Sequence, residues 1–182
     1  MNEIYLVNHR PASYRPFKSI MRLPKEEAFA LAAKLSEDKT CEANSRFSNA
    51  SFAEYYATRL EAEKWLYNNF VKLGGKPQTK HPLYFYVHGW NLTPQFWPEN
   101  ITEKILLTDI EPCHISFMFD DSCGVPNNPE KYRLFMKDEL MELISLHSGI
   151  GNLLEHVKQQ IGHGMIEAHL WSDKYVLKEN GQ

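Results

Sequence analysis

The segment Met165 to Trp171 constrains this chain more than any other. Side chains alternate along a strand, so Ile166, Ala168 and Leu170 share one face and Glu167, His169 and Trp171 share the other. An apolar strand face must be covered by another layer. The Glu167/His169 face reads as polar and half exposed. A sheet with helices packed against it is the fold class this alternation requires.

The remaining segments supply the other strands and the covering helices. Ile4 to Val7 reads as a short strand, ended by Asn8-His9-Arg10-Pro11 because proline removes a ladder donor. Pro24, with Glu26 and Glu27 behind it, starts a helix to about Leu35. Two capping patterns compete next, Ser51-x-x-Glu54 and Thr58-x-x-Glu61. Taking the second makes Phe52 to Ala57 a strand and Arg59 to Leu73 a helix, stopped by Gly74-Gly75. Pro82 precedes an aromatic strand, Leu83 to His88. Further strands are expected near Lys104 to Leu107 and His114 to Phe119. Tyr132, Phe135, Met136, Leu140, Leu143 and Ile144 keep helical spacing after Asn128-Pro129, and a shorter helix follows near Asn152 to Ile161. Six or so strands and about four helices, without repeat or linker, define one α+β domain over residues 1–182, with a twisted, largely antiparallel sheet flanked by helices.

Composition narrows the partners. Among 182 residues, 43% are hydrophobic and 13% aromatic, enough to build a core without metal or disulfide support. The net charge of -3 and the lack of a Lys/Arg stripe argue against nucleic acid. No basic amphipathic helix suggests a membrane surface, and the run Leu83 to Val87 is too short to span one. Cys41, Cys113 and Cys123 contain no Cys-x-x-Cys pair, so three reduced thiols in a cytoplasmic protein are expected. The N-terminus lacks the apolar run of a signal peptide.

Several residue groups are candidates for chemistry. Tyr84 to Trp90 ends in His88-Gly89, like the opening of an α/β-hydrolase. Its partner would be a nucleophile elbow, but His147-Ser148-Gly149-Ile150-Gly151 lacks the Gly-x-Ser-x-Gly spacing and follows helical residues. Asp120-Asp121 after a strand can hold magnesium or simply make a turn. Glu167 and His169, two apart on a strand, can share a metal, though no third ligand is evident. Trp90, Phe96 and Trp97 lie in a proline-rich loop and fit a protein- or ligand-binding surface.

Two segments together carry a resemblance. Cys113 to Ser122, reading Cys-His-Ile-Ser-Phe-Met-Phe-Asp-Asp-Ser, is followed by Met165-Ile-Glu-Ala-His-Leu-Trp171. This resembles a pattern in uncharacterised bacterial proteins that are similar to the ADP-ribosyltransferase superfamily, with Asp120 standing where the pattern carries glycine. The resemblance implies an NAD- or nucleotide-binding pocket with Glu167 as the catalytic acid. That carboxylate would bond the nicotinamide ribose and stabilise an oxocarbenium-like transition state. It also implies ligand-binding roles for His9 and Arg10 on the first strand, and for Arg46, Ser48, Asn49 and Tyr56 near the second. Glu167 is then expected to face an open cleft shared with residues 8 to 56. A non-catalytic interaction or ligand-binding module is the rival reading.

Overall fold

Gly74 and Gly75 close the longest helix as the sequence requires. In the computed structural model, which describes residues 3–11, 16–37, 46–48, 50–89 and 100–176, helix α2 runs Phe52–Lys72. Gly74 adopts φ +91°, its N–H reaches Val71 O at 3.0 Å, and Gly75 N–H reaches Phe70 O at 2.9 Å. Those two bonds satisfy carbonyls that the helix end would otherwise leave open.

Helix α2 corrects the reading of Phe52 to Ala57 as a strand. The whole of Phe52–Lys72 is one helix, because Phe52, Tyr56, Arg59, Glu63, Leu66 and Phe70 recur at helical spacing and are all buried. Helix α1 (Lys25–Glu37) begins after Pro24 as expected and packs Ala28 and Ala32 against Phe47, Phe52 and Tyr56 at the start of α2.

Six strands form one sheet: β1 (Tyr5–Pro11), β2 (Leu83–Val87), β3 (Asn100–Leu106), β4 (Ile115–Phe119), β5 (Leu134–Met136) and β6 (Ile166–Leu170). Their order is β3-β1-β2-β6-β4-β5, and every pairing is antiparallel. Strand β1 runs on to Pro11 rather than stopping at Asn8, because Asn8 to Pro11 continue the ladder with β3 down to Asn100. Proline is tolerated there as the terminal rung.

Residues 134–136 also differ from expectation. Asn128-Pro129 opens only a 3₁₀ turn, and Leu134, Phe135 and Met136 pair with Met118, Phe117 and Ser116 as β5. The open edge of β4 outweighs the helical spacing there. Helix α3 then covers Lys137–Leu146 and α4 covers Ile150–Ile161.

Three layers result. The sheet face of Leu6, Phe85, Val87, Phe117, Ile166, Ala168 and Leu170 packs on Leu140 and Ile144 of α3 and Leu153, Leu154 and Val157 of α4. The opposite face meets α2, where Leu66 and Phe70 pack with Met118, Leu134 and Trp171. Phe70 and Trp171 stack at 5.3 Å and 14°. All five residues of β6 are therefore buried, which overturns the half-exposed reading of its polar face. No helix among the described residues is long and apolar enough to cross a membrane.

Candidate functional site

The polar face of β6 sits at the centre of the sheet beneath α2, so its side chains must satisfy one another. Register sets the neighbours: Glu167 stands between Tyr86 of β2 and Met118 of β4, and His169 between Tyr84 and Ser116. Trp171 Nε1 donates to Ser116 Oγ at 3.0 Å, Ser116 Oγ lies 3.3 Å from His169 Nδ1, and His169 Nε2 lies 2.9 Å from Glu167 Oε2. An indole N–H can only donate. The Glu167 carboxylate can only accept, so His169 donates to it through Nε2–H, while Ser116 Oγ accepts from Trp171 and shares a hydrogen bond with Nδ1.

Glu167 receives a second donor from the loop after β4. The Ser122 backbone N–H reaches Oε2 at 3.0 Å, so the segments 120–122 and 165–171 are joined through this carboxylate. Burial alone would raise the Glu167 carboxyl, but the His169 hydrogen bond, with Arg59 and Ser122 behind it, holds it below the usual range. Glu167 is an anion with 2% of its surface exposed. So little exposure runs contrary to the open cleft that the resemblance implies.

The line Ser116–His169–Glu167 has the connectivity of a nucleophile, base and acid. Ser116 and His169 are fully buried, and the serine oxygen is already engaged by Trp171. Its hydrogen bonds tie β4 to β6. Glu167 and His169 bond each other, and among the described residues no third ligand joins them.

Arg59 of α2 is the buried cation of the layer. Its Nη1 donates to Ser122 Oγ at 2.9 Å, its Nη2 lies 3.8 Å from Asp121, and its guanidinium sits 4.5 Å from the Tyr84 ring centre. Burial opposes its charge, but the surrounding tyrosines and Glu167 hold it protonated. A second acid, Glu63, is 2% exposed and accepts from Tyr84 OH at 3.0 Å while meeting His81 Nδ1 at 2.5 Å. These bonds fasten α2 to β2.

Towards solvent the network opens at Asp121, whose side chain is 53% exposed. Partial desolvation, then the charge of Glu167, push the Asp121 carboxyl upward, while Arg59 and Arg46 pull the other way. Asp121 also accepts from Cys123 N–H at 2.8 Å. The same surroundings push the Cys123 thiol up to about 12, with burial the main cause. Burial and the nearby Glu167 raise Tyr86 as well, with Arg46 and Arg59 opposing. The Tyr55 ring centre is 5.7 Å from the Arg46 guanidinium and 5.8 Å from that of Arg59. Arg46 is exposed and also covers Phe47 at 5.1 Å.

Of the expected ligand-binding residues, the fold brings Arg46 into the surroundings of Glu167, since both charges act on Tyr86, Asp121 and Cys123. His9 instead bonds Thr102 of β3 at 2.9 Å, and Arg10 pairs with Glu103 at 2.7 Å. Ser48 Oγ meets Ser51 Oγ at 2.6 Å at the start of α2. Tyr56 packs in the aromatic cluster with Phe29 and Phe52. Asn49 and the loop of Trp90, Phe96 and Trp97 lie outside the described residues. Asp120 accepts from Asp121 N–H at 2.8 Å and pairs with Lys131 at 3.3 Å and His163 at 3.1 Å. Its φ of +75° is a conformation in which glycine is at ease. Ser148 sits in the turn between α3 and α4, with a helix before it, so it is not on an elbow after a strand.

Sequence reasoning missed Arg59, Glu63, Ser116 and Ser122. The helical spacing of 52–72 held the signal for the first two. Comparison with known proteins finds no match: no family model, no curated protein and no solved structure.

Proposed function

We propose that this chain binds a nucleotide or an NAD-type dinucleotide at the ladder Arg46–Tyr55–Arg59–Tyr84, and that it does so without catalysis by Glu167. The observation that carries this reading is a Tyr55 ring close to both an exposed and a buried guanidinium, with the half-exposed Asp121 3.8 Å from the latter. Guanidinium groups bind phosphate through paired hydrogen bonds. Aromatic and guanidinium faces stack on bases. Asp121 supplies an acceptor for ribose hydroxyls. Glu167 contributes by holding Ser122, which in turn holds Arg59.

Thermal unfolding with AMP, ADP-ribose and NAD tests the reading. A ligand at 100 times its dissociation constant stabilises by about 2.7 kcal/mol. For a chain of this size that raises the midpoint by about 5–10 °C. Arg46→Ala, an exposed change, removes the shift and leaves the unliganded midpoint in place. NAD incubated with the protein releases no nicotinamide. Absence of a shift with all three ligands supports the interaction-module reading instead. Nicotinamide release lost in Glu167→Gln supports the transferase reading.

A further inference from the structure

A separate cluster lies at the entry to β4, away from the arginine–tyrosine ladder. Pro112 starts a 3₁₀ turn, Pro112–His114, that gathers Glu111, Cys113 and His114. The Glu111 carboxylate, the Cys113 thiol and a His114 ring nitrogen all lie within 4.8 Å of one another. Glu111 Oε2 is 3.9 Å from Cys113 Sγ and 3.8 Å from His114 Nδ1. Zinc bonds of about 2.3 Å to sulfur and 2.0–2.2 Å to nitrogen or oxygen place tetrahedral ligands about 3.3–3.6 Å apart. Those two separations therefore need to close by only a few tenths of an ångström.

The turn is fixed before any ion arrives. Cys113 O accepts from Lys76 N–H at 2.7 Å, and His114 O accepts from Trp171 N–H at 2.9 Å. The imidazole is also set correctly. Tyr175 oxygen accepts the Glu111 N–H at 3.0 Å and lies 2.8 Å from His114 Nδ1. With the Tyr175 hydroxyl as donor, Nδ1 keeps a lone pair that an ion can take over. Lys174 bonds the other oxygen of Glu111 and so competes with an ion for this carboxylate.

We propose that Glu111, Cys113 and His114 bind a borderline divalent cation of the zinc type, with Tyr175 or water at the fourth position. A mixed thiolate, imidazole and carboxylate set suits zinc better than magnesium or calcium, which prefer oxygen alone. Binding displaces the Tyr175 proton from Nδ1 and releases the thiol proton. The complex therefore weakens as the solution is acidified. The neighbouring cations Lys76 and Lys174 oppose the ion.

Cobalt(II) titration of the full chain, followed by visible absorption, is the test. The expected result is a one-to-one complex with a thiolate charge-transfer band and the intense ligand-field bands of tetrahedral coordination, displaced by zinc. Cys113→Ser abolishes the charge-transfer band, while Cys123→Ser and Cys41→Ser keep it. His114 is buried, so Glu111→Gln, an exposed change, provides the second variant and weakens binding at least tenfold. Lys174→Met tightens it. The proposal is overturned if no charge-transfer band develops, if the band survives Cys113→Ser, or if Glu111→Gln and Lys174→Met both bind as the parent does.

Discussion

Replacing Glu167 with alanine removes the acceptor shared by two buried donors, Ser122 N–H and His169 Nε2–H. Leaving a buried donor without a partner costs about 1–3 kcal/mol. The buried Arg59 also loses a nearby compensating anion, and breaking a buried charge pair costs about 3–5 kcal/mol. These penalties overlap in one network, so we expect a total of about 3–5 kcal/mol rather than their sum. At about 2–4 °C per kcal/mol for this chain length, the melting midpoint falls by about 6–20 °C. Glu167→Gln keeps the volume and one acceptor and should lose about half as much. Urea unfolding followed by tryptophan fluorescence, checked by calorimetry, measures both variants.

Acidity adds a second arm. The folded carboxyl of Glu167 lies below its unfolded value, so its contribution is present above the ordinary carboxylate range and is lost as pH falls through it. The parent should lose stability on acidification more steeply than Glu167→Gln. An alanine variant that melts with the parent, together with identical acid limbs, would refute a structural role for Glu167.

Two further outcomes follow from the solvent-facing side of the same network. Asp121 titrates in the opposite sense: its folded carboxyl is raised, so ionisation opposes folding as pH rises through that value. Asp121→Asn, which retains an acceptor for Cys123 N–H, should raise the midpoint at neutral pH, and a lowered midpoint would show that the charge is needed. The Cys123 thiol, pushed up to about 12, should alkylate slowly at pH 8. Its thiolate fraction is about a thousandfold below that of an ordinary thiol. Peptide mass spectrometry after iodoacetamide should find Cys123 the slower of Cys113 and Cys123, and equal rates would contradict its burial.

Much of the fold was legible because the code for it is local. The alternation of Met165 to Trp171 assigned both faces of β6, and Gly74-Gly75 marked the end of α2. The errors came where two local codes compete and a distant partner decides. Phe135 and Met136 fit a helix as well as a strand, and only the unpaired edge of β4 selects the strand. Reading Phe52 to Ala57 as a strand divided α2, which hid the single face shared by Phe52, Arg59, Glu63, Leu66 and Phe70. That division also concealed Arg59, the one cation buried against Tyr84 and Ser122 among the described residues. Glu167 was found in the sequence, but its burial was not, since nothing local says that α2 lies across it.

Hydrogen exchange at the Ser122 amide probes the sealed carboxylate most directly. Ser122 belongs to a 3₁₀ stretch just past the end of β4, where an unprotected amide would exchange in seconds to minutes. Bonded to a buried Glu167, it should instead exchange only when the whole molecule unfolds, and should lose that protection in Glu167→Ala. Rapid exchange of Ser122 in the parent, alongside slow exchange across β6, would show that water and ligands reach Glu167.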